Sequence, residues 1–277
     1  MTLEKYRHPL LFYGIATPTT WAFWFAAAYL SHVTPTSPLL ATAVGVLVPV
    51  GLMCPAAVAL CMIGSDRDLR GDLKRRLIGL KGVKPVYLFL TCFLMLVSIL
   101  LAQAISLLFG YSADQFHFSG HASFSTGAIS GWFALLLAPF VEELAWHTYG
   151  TDCLRRSMNL LKVCLLFACY WAIWHMPLGL IKGSYQSNLA ETSWLHSLNY
   201  VMSFIGYVIL VNWLYYKTNR SVLVAIVFHL TANCSAEAFC THPDSKVIQT
   251  ILLLLLAVVL VIKDRDFFLR REYKEPA

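Results

Sequence analysis

The chain has 277 residues, of which 58% are hydrophobic and only 13% charged, and its mean hydropathy is +0.64. A soluble domain is about one quarter charged, so these values exclude an ordinary soluble fold. The formal charge of +6 belongs to an apolar chain and reads as orientation in a membrane and contact with anionic lipid headgroups, not as nucleic-acid binding.

Eight apolar stretches approach the roughly 20 residues that a membrane-crossing helix needs. The first, Leu11–Ser31, is broken by Pro18 and lacks a small-residue cleavage site, so it is not a removable signal peptide. The second, Leu39–Gly64, carries Pro49 and Pro55 and is expected to kink. A basic loop follows, with an amphipathic surface helix predicted from Asp68 to Leu80. Then come Val86–Gly110, Thr126–Tyr149 and Val163–Ile181, the polar loop Lys182–Asn199 (a lid or a connector), and Tyr200–Tyr216, Val222–Cys240 and Val247–Ile262. The runs are continuous rather than alternating, which argues against a sheet barrel. With no internal repeat and only short connections, the fold class is an all-α polytopic transmembrane helical bundle, a single domain over residues 1–277.

With eight spans, both termini share one face. That face holds nineteen of the twenty-one Lys and Arg residues, leaving only Lys182 and Lys246 opposite. Basic residues accumulate in the cytoplasm, so the termini are expected there, in a multi-pass protein of the plasma membrane. The eight cysteines include no CxxC pair, which points to small packing residues rather than a disulfide framework or thiolate zinc site.

Glu142 and Glu143 lie inside the span GWFALLLAPFVEELAWHTY. An ionisable residue at membrane depth costs several kcal/mol unless compensated, and marks a functional site. Two adjacent carboxylates cannot both ionise cheaply, so partners are expected. His147 is four residues after Glu143, on the same helix face. His175 lies in CYWAIWHMPLGL, and His229 and Asn233 lie one turn apart in VAIVFHLTANCSAEAF, with Glu237 one turn further out. At 1.5 Å per residue, Glu142 and His229 sit roughly 10–12 Å, and His175 and Asn233 roughly 16–18 Å, from the cytoplasmic ends of their helices. That depth suggests a cytoplasm-facing entrance.

A buried Glu can act as general base on water and then as general acid. A neighbouring His can hold that water, and a His with an Asn can donate to a developing oxyanion. No Ser or Cys is placed as a nucleophile, which favours direct attack by water on an acyl bond. Alternatively, Glu142, His175 and His229 bind zinc and generate a metal-activated water, although no HExxH is present. A proton-coupled transporter using the His229–Asn233–Glu237 stripe is a further reading, as is a catalytically inactive membrane scaffold or immunity protein.

The order of three motifs resembles the CPBP family, the type II CAAX prenyl proteases and bacteriocin-processing or self-immunity proteins. The motifs are Glu142-Glu143 in VEELAWHTYG, Trp171 through His175 followed by Met-Pro, and His229 through Asn233. The resemblance spans about Thr126 to Cys240. It implies an intramembrane endopeptidase acting on a membrane-anchored or lipidated substrate, prenylated CAAX-type proteins among the candidates. It implies that Glu142 activates water, that His175 assists, and that His229 and Asn233 support the oxyanion. Trp171 and His147 are supporting residues. The Asn suits an oxyanion hole better than a zinc shell, which favours the metal-free mechanism. One position departs: His147 stands where the family pattern has Arg. An Arg would be a permanent cation near Glu143, whereas His147 is one only when protonated, so activity is expected to depend on pH in the histidine range.

Overall fold

The computed structural model describes residues 3–124 and 130–271. They contain twelve α-helices and no strand, only an isolated antiparallel bridge between Phe118 and Phe239. The helices are α1 Pro9–Ser31, α2 Pro38–Gly64, α3 Arg67–Arg76, α4 Pro85–Ser106, α5 Gly131–Ala145, α6 Thr151–Arg155, α7 Leu160–Trp174, α8 Tyr185–Thr192, α9 Trp194–Lys217, α10 Val222–Ala238, α11 Pro243–Lys263 and α12 Arg265–Leu269. Each of the eight predicted stretches coincides with a helical segment. The predicted start at Thr126 lies outside the described residues.

Among the described residues, five helical stretches are long and apolar enough to cross a membrane: Pro38–Gly64, Pro85–Phe109, Leu160–Leu180, Trp194–Lys217 and Pro243–Lys263. Helix α10 is apolar but has only 17 residues. The chain is an integral membrane protein built of helices.

Local chemistry sets the boundaries. Proline at the first turn opens α1, α2, α4 and α11, where its missing N–H costs nothing. Ser130 caps α5 by accepting from the Phe133 amide at 3.2 Å, and Asn159 caps α7 at the Lys162 amide at 2.9 Å. Helix α9 begins six residues before the predicted Tyr200, because Ser193 caps it at the Leu195 amide. Pro55 deprives the Gly51 carbonyl of its helical donor. The Thr20 hydroxyl supplies one instead, at 3.0 Å from α1. A side chain at Gly51 would collide with the Trp24 indole, its Cβ falling 2.6 Å away, so this glycine permits the close approach of α1 to α2.

The surface helix is α3, shorter than predicted. Asp66 caps it, and the amides of Leu69 and Asp68 hold the Asp66 carboxyl below the usual carboxylate range. The eight cysteines are all unbridged. Cys153 and Cys164 are buried packing residues, but Cys61, Cys92, Cys169 and Cys240 are exposed on the bundle surface, so the packing reading holds for only part of the set.

A buried charged cluster ties the face of the termini together. Asp72 and Arg76 come from α3, Asp152 from α6, and Arg220 from the turn after α9, all buried. Arg220 Nη2 reaches Asp152 Oδ2 at 2.6 Å and Asp72 Oδ2 at 2.9 Å. Arg76 Nη1 lies 3.1 Å from Asp152, and its Nε lies 2.7 Å from Asp72, an ion pair off the hydrogen-bond axis. Asn219 and Arg220 have φ of +56° and +62°. This left-handed turn is strained for non-glycine residues, and it aims the Arg220 guanidinium back at both aspartates.

Burial disfavours the ionised form of Asp72, but the Arg220 and Arg76 guanidiniums outweigh it and hold the carboxyl below the usual range. A lowered carboxylate adds stability above its unfolded pKa, and that stability is lost as pH falls through the folded value. Removing one partner of a buried ion pair costs about 3–5 kcal/mol. Arg220→Met should therefore lower the melting temperature in detergent markedly. The wild type should lose stability below about pH 4, a limb that thermal melts should show flattened in the variant.

Candidate active site

Helix α5 carries Glu142 and Glu143 three and four residues beyond Pro139. It runs directly into a π-helical turn, Trp146–Gly150, and then α6. Neighbouring helix positions point about 100° apart, so the two buried carboxylates find different partners. Glu142 Oε2 accepts from two indoles, Trp171 Nε1 at 3.0 Å and Trp146 Nε1 at 3.4 Å. Glu143 accepts from two imidazoles, His229 Nδ1 at 2.7 Å on Oε1 and His147 Nδ1 on Oε2. Each carboxylate thus replaces lost water with donors of its own kind.

Helix α7 supplies the next two groups. Pro177 disfavours helix at the residue before it, so the α-helix ends at Trp174 and continues as a 3-10 segment, Met176–Leu180. His175 is the C-cap, and its Nδ1 lies 2.7 Å from the Trp171 carbonyl. A carbonyl only accepts, so Nδ1 carries the proton and the neutral ring presents Nε2 as an acceptor. Trp171 thereby holds Glu142 with its indole and His175 with its backbone, and its ring centroid lies 5.6 Å from His175 and 5.4 Å from His229. From α10, His229 commits Nδ1–H to Glu143 and keeps Nε2 for other partners.

One cavity of about 670 Å³ is lined by Glu142, Trp171, His175, His229 and Asn233. Glu143 and His147 do not line it and stand behind it. The proposed catalytic residues are therefore split into a layer that meets the cavity and a layer that orients it. Glu237 also lines the cavity, but it forms an ion pair with Lys246 at 3.4 Å and accepts from the Ser123 amide at 2.8 Å. It ties the rim together rather than extending the His229–Asn233 pair into a relay.

The cavity wall extends to Ser31, Thr36, Lys182, Tyr185, His196 and Lys246, all on the face opposite the termini. The Lys182–Asn199 segment contributes α8 to that rim, nearer to a lid than a plain connector. Cytoplasmic termini and a cytoplasm-facing entrance are therefore incompatible. Depth from a helix end does not reveal which end is walled off, and the charged cluster closes the basic one.

Among the described residues, no three His, Cys, Asp or Glu side chains group as a metal-ligand set. Sequence reasoning paired Glu143 with His147 by i,i+4 spacing, and the structure adds His229 to the same carboxylate. It missed Trp146, although the identical spacing from Glu142 marks it. It also missed Tyr207, whose buried hydroxyl has no hydrogen-bond partner and whose ring lies 5.6 Å from both His229 and Trp171.

The sequence is similar to a known protein family and to a curated relative. Residues 124–235 match the family described as Type II CAAX prenyl endopeptidase Rce1-like. A curated relative, CAAX prenyl protease 2 from Methanococcus maripaludis, is 32% identical over 272 residues, covering 97% of this chain and 99% of its own length.

Trp171→Phe keeps a ring but deletes the closer donor to Glu142. Hydrogen bonds to charged groups contribute about 1.5–3 kcal/mol. Turnover should fall about 10- to 100-fold in steady-state assays, with little change in the melting temperature.

Proposed function

The chain belongs to the Rce1-like family of type II CAAX prenyl endopeptidases, and on that footing we propose that it hydrolyses a peptide bond of a membrane-associated substrate by direct attack of water activated by Glu142. The observation that carries this is the single cavity meeting Glu142, His175, His229 and Asn233, with both imidazoles tied at Nδ1. Glu142 takes one proton of the water. His175 Nε2 accepts a hydrogen bond from the other, which aims the oxygen lone pair at the scissile carbonyl. His229 Nε2–H and the Asn233 amide donate to the oxyanion. For Nε2 to donate while Nδ1–H remains on Glu143, His229 must carry both protons, and the Glu143 carboxylate balances that charge. Glu142, now protonated, delivers the proton to the leaving amine. No step passes through a metal.

The substrate class follows from setting and shape. The cavity walls are largely apolar, with Trp24, Val48, Leu52, Phe204 and Leu253 among them, which suits a lipid-anchored chain. The name of the archaeal relative supports a prenylated CAAX-type substrate. The eight helical segments support an eight-span bundle with both termini on one face.

Glu142→Ala and His175→Ala should each lower cleavage of a quenched peptide substrate by about 10²–10⁴-fold, the usual contribution of a general base. Retained cleavage in either variant would sink the assignment. Cleavage by the wild type should survive a chelator, and loss that zinc restores would return the metal reading.

Orientation is tested by cysteines introduced on a background lacking exposed thiols. The charge asymmetry supports cytoplasmic termini, so an impermeant maleimide added to intact cells should label Asn188→Cys at the mouth and spare Asp68→Cys on α3. The reverse pattern would put the mouth in the cytoplasm.

A further inference from the structure

We infer that Arg76, on the surface helix α3, is a positioning residue that holds the π-helical turn behind the active site in register. The inference rests on the reading of Glu142 and Glu143 given above. The turn Trp146–Gly150 presents two of the four side chains that hold the glutamates, Trp146 on Glu142 and His147 on Glu143. π-helical turns are rare and cluster at functional sites. This one is held from outside. Arg76 Nη1 donates to the His147 carbonyl at 3.0 Å, and Nη2 donates to the Thr148 carbonyl at 2.8 Å. The guanidinium fork spans two successive carbonyls, which the point charge of a lysine cannot do. The Tyr215 hydroxyl also reaches the His147 carbonyl, at 2.7 Å.

The fork is itself anchored. Its Nε pairs with Asp72 at 2.7 Å and its Nη2 donates to the Tyr6 hydroxyl at 2.7 Å. Arg76 is buried and does not line the catalytic cavity. It therefore acts through Trp146 and His147 rather than on substrate.

Arg220 provides an internal control. It pairs with the same two aspartates, Asp72 and Asp152, but has no hydrogen bond to the turn carbonyls. If the cluster served stability alone, both arginines would behave alike.

The test compares Arg76→Lys and Arg220→Lys in detergent-purified full-length protein, well below both melting temperatures. Kinetic constants are measured across pH, and backbone hydrogen exchange is measured over the segment 142–151. Arg76→Lys should lower kcat about 10- to 100-fold, the scale of a small misplacement of catalytic groups, with KM within about twofold. Its pH profile should be displaced, and exchange in the turn should rise. Arg220→Lys should lower the melting temperature while leaving the pH profile and the turn's exchange as in the wild type. Tyr215→Phe, which removes the second donor to the His147 carbonyl together with the hydroxyl's contacts to Asp152 and Arg76, should raise exchange in the turn less than Arg76→Lys does. Equal kinetic and exchange behaviour of the two lysine variants would overturn the inference. The exchange comparison needs no turnover, so it stands even if Glu142→Ala retains cleavage and the hydrolytic mechanism fails.

Discussion

Two adjacent carboxylates are buried in an apolar bundle, and much of the site follows from solvating them separately. An unpaired buried charge costs several kcal/mol. Glu142 and Glu143 escape this by facing different directions and finding chemically different donors. The indoles of Trp146 and Trp171 are neutral and cannot exchange a proton with Glu142. They hold it by hydrogen bonds alone, which is what the proposed role as base requires. The imidazoles of His147 and His229 can carry charge, and they fix Glu143 as a counter-ion. Adjacent positions on one helix thus carry a carboxylate held by indoles and a carboxylate held by imidazoles.

This arrangement makes demands on three other helices. Trp171 must sit one turn before the end of α7, so that its carbonyl is free to receive the His175 ring as well as the His175 amide. Pro177 sets that end. His229 must face α5 with Asn233 one turn further along, which α10 provides by simple i,i+4 geometry. The π-helical turn must then bring His147 back to Glu143 and Trp146 back to Glu142. Aromatic rings fill the space between these groups. Trp171 packs on Phe167 at 5.6 Å and on Phe204 at 5.1 Å, so the indole that donates to Glu142 cannot easily rotate away.

The helices and most of the site were legible in the sequence, because both depend on short-range patterns. Apolar runs mark the helices, and the spacings of Glu143 to His147 and of His229 to Asn233 are single turns. What was not legible depends on chain distances that no periodicity reports. Arg220 meets Asp152 across 68 residues and Asp72 across 148, so each reads in sequence as an isolated surface charge. Trp146 was readable but hidden, because an aromatic residue in an apolar helix looks like packing. The side of the entrance was not legible for a different reason. Helix depth is a distance from an end, and it is silent about which end other elements close.

The two ends of the bundle differ in kind, and this difference bears on how the site works. At the basic end, Tyr6, Asp72, Arg76, Asp152, Tyr215 and Arg220 form a buried, mutually paired plug. Such a plug resists water, because its charges already have partners and any opening would leave several of them unpaired at once. The other end also has buried polar contacts, such as Gln103 with the Gln115 carbonyl at 3.0 Å and Ser245 with Gln115 at 2.7 Å, but at the cavity rim some contacts are partly exposed, among them His196 with Asp244 at 2.9 Å and Asn188 with the Ser123 carbonyl at 3.2 Å. Contacts of that sort separate at little cost. A peptide bond hydrolysed inside a membrane needs one route by which water and substrate reach the base, and no leak on the far side. A paired plug at the basic end and separable contacts at the cavity rim suit both needs.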